Sequence, residues 1–174
     1  MAARHIVPRL VLATLCLATL PGAQGRINNL EDRLLAAHNR ERDAMNVAPL
    51  VWDANLAKGA QEWADYLSET GRFEHSPNVR GKPREGENIW GGTPEHFSPE
   101  GMVGLWIEEK RHFQQGEFPY NSKTGNIADV GHYTQVIWKS TGHVGCGLSG
   151  RGEEEILVCR YSRPGNVLGA RPLS

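Results

Sequence analysis

Four side chains of the 174-residue sequence are of types that do acid–base or metal chemistry: His75 before Ser76-Pro77, Glu87 in Gly86-Glu87-Asn88, Glu109, and His132 in Gly131-His132-Tyr133-Thr134-Gln135. Glu109 is singled out by spacing. Met102, Leu105, Trp106 and Phe113 mark one stripe of a helix. At about 100° per residue Glu109 falls inside that stripe, whereas Glu108 falls roughly 100° away. A carboxylate on an apolar stripe must be paired, hydrogen-bonded or metal-linked, because burying it alone is very costly. An ion pair, or a stripe that opens to solvent, would satisfy it without further chemistry. His75, Glu87 and His132 are its candidate partners. None shows the short H-E-x-x-H spacing that defines a zinc site, so a structural or surface role for each histidine stays open.

The elements that must position these groups are legible in outline. Helix one starts with Asn28 as cap and Glu31 three residues on, and runs to about Ala44 with Leu30, Leu34, Ala37 and Met45 on one side. Helix two is capped by Asp53, keeps Leu56, Ala60, Trp63, Ala64 and Leu67 on one face, and stops at Gly71. Helix three opens with Ser98-Pro99-Glu100 and runs to about Gln114. Two β-rich runs, residues 144–148 and 156–161, flank a Ser-Gly-Arg-Gly turn and read as a hairpin. Helices followed by a terminal hairpin predict an α+β fold. Residues 77–84 and 118–130 are long, Pro- and Gly-containing connections of the kind that carry binding function.

Composition narrows the function classes. A net charge of −1, from 19 basic and 20 acidic residues, lacks the basic footprint that nucleic acid requires. Residues 1–25 read as a secretory signal peptide, with Arg4 and Arg9 before an apolar stretch too short to span a bilayer and Ala23-Gln24-Gly25 before the cut. The mature chain, residues 26–174, is expected to be one domain with no transmembrane segment, secreted and extracellular, or periplasmic if bacterial. Export leaves Cys146 and Cys159 in an oxidising compartment, where the single available pairing is a bridge across the hairpin. That bridge leaves no cysteine nucleophile.

The stretch Gly131-His132-Tyr133-Thr134-Gln135-Val136-Ile137-Trp138 closely resembles the first signature of the CAP superfamily, which holds cysteine-rich secretory proteins, antigen 5 and plant pathogenesis-related class 1 proteins. The run from Ile156-Leu157-Val158-Cys159 to Pro164-Gly165-Asn166 resembles the second. His38-Asn39-Arg40-Glu41-Arg42, Gly86-Glu87-Asn88 and Trp106-Ile107-Glu108-Glu109 resemble three further elements, in family order. The resemblance implies an SCP domain: a three-layer α-β-α sandwich with a central, largely antiparallel sheet. It also implies that His75, Glu87, Glu109 and His132 converge in a surface cleft able to hold a divalent metal, Zn2+ among them. The histidines would ligate as neutral imidazoles, and the glutamates would hold water or orient the rings. Where plant relatives carry more cysteines this chain has Glu85, Asn126 and Val130, so the loop of residues 116–130 is expected to be less tied down.

Fold does not settle activity. The expected function is an extracellular binding module for sterol, lipid or an extracellular protein, acting as a monomer. The alternatives are a zinc-dependent hydrolase of peptide or ester bonds, with Glu87 or Glu109 as base, and a structural or signalling protein with a vestigial cleft. Residues 162–174 resemble the C-terminal segment that plant relatives release as a signalling peptide; a passive tail packed beside the hairpin is the competing expectation.

Overall fold

Leu34 and Ala37 bury the inner face of the first helix, α1 (Leu30–Ala44). The computed structural model describes residue 25, residues 27–81 and residues 83–174, so the expected signal peptide, apart from Gly25, lies outside the described residues. The cap of α1 is Asn29 rather than Asn28. It sits in the left-handed region at φ 54°, which asparagine tolerates, and its carbonyl accepts from Arg33 N at 3.0 Å. A two-residue strand, β1 (Val51–Trp52), leads to α2 (Ala54–Thr70), where Asp53 accepts hydrogen bonds from Asn55 N and Leu56 N. Gly71, at φ 66°, ends α2 in the left-handed conformation that favours glycine. Then follow β2 (Glu85–Gly92) and α3 (Pro99–Glu108), the latter capped by Ser98 Oγ accepting from Gly101 N. The α-helix stops six residues short of Gln114. Residues Glu109–His112 tighten into a 3-10 turn, and the Glu109 carboxylate at its head bonds to the next helix. That next helix is α4 (Gly131–Val136), and the long strands β3 (His143–Arg151) and β4 (Glu154–Ser162) follow.

The sheet order is β1-β3-β4-β2, with β1 parallel to β3 and the other neighbours antiparallel. Alternation along β4 sends Leu157, Cys159 and Tyr161 into one core with Leu34, Met102, Trp106 and Tyr133, and sends Ile156 and Val158 into a second core with Ala60, Ala64 and Leu67. Helices α1, α3 and α4 therefore cover one face of the sheet and α2 the other, which is the three-layer sandwich. On the α2 side, β3 offers glycine at Gly145 and Gly147, whose backbone lies against Ala57 and Gln61; a Cβ at either position would collide with the helix backbone. Cys146 and Cys159 face each other in the β3–β4 register and form a disulfide with S–S 2.04 Å.

Arg42 ties α1 to the end of α4 and the segment that follows it. Buried, it donates to the carbonyls of Ala48, Val136, Trp138 and Thr141 at 2.7–3.0 Å. His38, one turn earlier and equally buried, shares hydrogen bonds with Leu34 O at 2.7 Å and the Tyr161 hydroxyl at 2.9 Å. The loop of residues 116–130 is held by its own side chains: Thr124 Oγ1 donates to Asp129 at 2.6 Å and Asn126 Nδ2 to the same carboxylate at 3.2 Å.

Candidate functional site

Glu87 lies on β2 directly across from Arg160 of β4, so strand register alone brings a cation beside it. The turn at Gly71 then returns the chain along the same edge, where Trp63 Nε1 donates to Glu74 O at 3.1 Å. This places His75 and Ser76 over Glu87. The carboxylate is only 8% exposed. It accepts from His75 Nδ1 at 2.8 Å, Ser76 N at 2.9 Å and Ser76 Oγ at 2.7 Å, and Arg160 Nε lies 3.4 Å away. Burial pushes the Glu87 carboxyl up, but the hydrogen bonds from His75 and Ser76 outweigh it and hold the group below its usual range. The bond to Glu87 conversely raises His75 against its partial burial, although 65% of the His75 side chain remains exposed.

The second pair forms where α3 tightens. Glu109 Oε1 accepts from His132 Nδ1 at 2.6 Å, while Oε2 accepts from the backbone N–H groups of His132 and Tyr133 at 2.9 and 3.0 Å. Glu108 is exposed. Trp106 stacks on the His132 ring, with centroids 6.2 Å apart and planes at 12°. Asn88, the neighbour of Glu87, donates to His132 O at 3.1 Å and to the Tyr161 hydroxyl at 3.3 Å, and so continues to His38. The Tyr133 hydroxyl donates to Glu41, which also binds Lys110. Burial first, and then Glu41, raise the tyrosine well above its ordinary value.

Sequence reading named the four principal residues, and the structure joins them as two pairs: His75 with Glu87 and His132 with Glu109. Each imidazole spends Nδ1 on a carboxylate and leaves Nε2 without a partner among the described residues, the orientation in which metal-ligating histidines are held. Each pair therefore presents an imidazole nitrogen of the kind that ligates a divalent cation, with water able to fill the other positions. The glutamates fit as orienting groups, since both oxygens of each already accept protein hydrogen bonds. Among the described residues no three His, Cys, Asp or Glu side chains stand close enough to hold one ion by themselves. An open cleft of about 550 Å³ runs beside the first pair, walled by Trp63, His75, Val79, Glu87, Arg160 and Asn166; His132 and Glu109 do not line it.

Sequence reasoning missed Ser76, Arg160, Asn88 and Tyr161. Ser76 had a signal in its adjacency to His75. The other three act through pairings 44 or more residues apart and through strand register, which no local spacing displays.

With this geometry in place, comparison gives a consistent result. The model of the cysteine-rich secretory protein family matches residues 35–161. A pathogenesis-related protein of PR-1 type from Sambucus nigra is 32% identical over 177 residues, covering 99% of both chains. Pathogenesis-related protein 1A of Nicotiana tabacum is 31% identical over 165 residues, covering 94% of this chain and 92% of the relative. Among solved structures, NaASP2 with Zn2+ superposes with a TM-score of 0.67 at 20% identity, over 82% of this chain and 84% of that one. The chain belongs to the cysteine-rich secretory protein, or CAP, family.

Proposed function

We propose that the chain is an exported binding module whose cleft takes a sterol or another lipid and whose paired histidines bind a divalent metal. One observation carries binding over turnover: both candidate catalytic carboxylates are consumed by protein donors, Glu87 by His75 and Ser76, and Glu109 by His132 and Tyr133. A general base needs a free lone pair aimed at water, and catalytic zinc usually has three protein ligands. Three of about four acceptor sites of each carboxylate are already taken, and among the described residues no group of three protein ligands is present. The cleft, in contrast, sets Trp63, Pro77 and Val79 beside polar side chains, a lining suited to an amphipathic ligand. The similar NaASP2 is known with Zn2+, which supports the metal reading.

Titrating lipid into the protein while following Trp63-sensitive fluorescence, with parallel peptide and ester hydrolysis assays with and without zinc, tests the proposal. Saturable binding without turnover is expected. Zinc-dependent turnover that disappears in Glu87→Gln would establish the hydrolase instead. Zinc calorimetry completes the test. Affinity should fall as pH drops, because protonated imidazole does not ligate, and should weaken in His132→Ala. Equal affinity in the two proteins removes the metal site.

A further inference from the structure

The rim of the cleft carries a charge pattern that the His–Glu pairs do not use. Residues 77–84 run Pro-Asn-Val-Arg-Gly-Lys-Pro-Arg, three cations and no acid, in a chain whose net charge is −1. Arg80 and Arg84 are exposed, and neither meets a carboxylate among the described residues. Deeper in the cleft the situation is the reverse: Arg160 is shared between Glu85 and Glu87, at 3.5 and 3.4 Å. The rim cations are thus unspent, while the inner one is neutralised. Between them Val79 is 56% exposed and, with Pro77 and Pro83, forms an apolar lip on the cleft.

Unpaired arginines around an exposed apolar lip suit one kind of surface. At an anionic bilayer the apolar side chains enter the boundary between headgroups and acyl chains, while the guanidinium heads stay among the phosphates. A hydrated anionic polysaccharide would use the cations and leave Val79 and the prolines in water. The overall net charge supplies no general attraction to an anionic surface, so binding must be local and oriented. We propose that the rim formed by Val79, Arg80 and Arg84 docks the mouth of the cleft on an anionic phospholipid surface. This deepens the reading of the cleft as a lipid site, because docking sets its mouth against the source of its ligand.

Co-sedimentation of the full chain with vesicles tests the docking. One set contains phosphatidylcholine alone, the other phosphatidylcholine with phosphatidylserine. Binding is expected only to the second, with release at high salt as screening shortens the reach of the charges. The double variant R80Q/R84Q, shown to be folded by an unchanged thermal melt, should bind roughly thirtyfold more weakly. Equal binding to both vesicle types, full binding by the variant, or capture by heparin with none by vesicles would each overturn the proposal. Fluorescence titration with lipid monomers reads the cleft separately. Monomer binding that survives in R80Q/R84Q while vesicle binding is lost supports the rim as the docking element. Anionic-vesicle binding that persists without any monomer binding would remove the lipid reading of the cleft and leave the docking surface standing.

Discussion

Two neighbouring glutamates where α3 gives way to the 3-10 turn illustrate how one position decides a role. Glu109 accepts three hydrogen bonds, two of them from backbone N–H groups, whereas Glu108 is exposed. Glu109→Gln replaces an acceptor oxygen by an NH2 that faces a donor, so a loss of about 1–3 kcal/mol is expected in urea unfolding. Glu108→Gln should stay within about 0.5 kcal/mol; a larger effect from Glu108 would show that the carboxylate roles are reversed. The helical period made this choice legible in the sequence. It could not show that the partners would be backbone groups of His132 and Tyr133, since these lie more than 20 residues away.

His38 gives a pH prediction at the same scale. Burial first, and to a smaller degree Arg42, push its imidazole from the ordinary 6.5 down to about 4. A group depressed in the folded state is protonated first in the unfolded chain, so its contribution is present above pH 6.5 and is lost as pH falls toward 4. The loss is on the order of 3 kcal/mol for a fully buried group. His75, raised by Glu87, works with the opposite sign: its contribution is present below its ordinary value and fades as pH rises through the raised one. It is largely exposed, so its weight is small. Denaturant midpoints between pH 7 and 4 should therefore fall steeply in the wild type and more gently in His38→Gln. Parallel slopes would mean that His38 is not the titrating group.

At the scale of elements, α2 lies tightly against the glycines of β3. A Cβ at Gly147 would meet the backbone of Gln61, which cannot swing away as a side-chain tip could. Gly147→Ala should cost about 1–3 kcal/mol or more, whereas Gly104→Ala, in open space on α3, should be neutral or slightly stabilising. Comparable losses in the two variants would place the tight contact elsewhere. The disulfide spans the same hairpin; closing a loop of this length is worth about 3 kcal/mol in the chain-entropy model. The boundaries of α2 were legible because the Asp53 cap and the Gly71 stop are local signals. The end of α3 was not, because the tightening at Glu109 accompanies a contact with α4. The register of β2 against β4, which puts Arg160 beside Glu87, is likewise a property of the assembled sheet.

At the scale of the whole molecule, the last segment is where composition and structure diverge. Two prolines and two glycines after the final strand suggest a loose tail. In the structure it is stitched down at separated points. Gly165 N donates to Gln135 Oε1 and Asn166 Nδ2 to Gly131 O, each at 2.8 Å, and Lys139 N donates to Pro172 O at the same distance. Phe118 and residues 169–170 exchange two further backbone bonds, and Leu173 packs against the core. These partners sit in the 116–139 region, so no local pattern could announce them. Between the stitches Val167 and Leu168 stand out into solvent. Among the described residues of the loop 77–84 there is no comparable anchoring beyond Ser76, and they are exposed. Protease access requires local opening, which is easiest where backbone bonds are fewest. Limited proteolysis followed by mass spectrometry should therefore give first cuts at Arg80 or Arg84, while residues 169–174 remain attached. Early release of a C-terminal peptide from the folded protein, ahead of any cut in residues 77–84, would show that the tail is a detachable segment and not part of the packed domain.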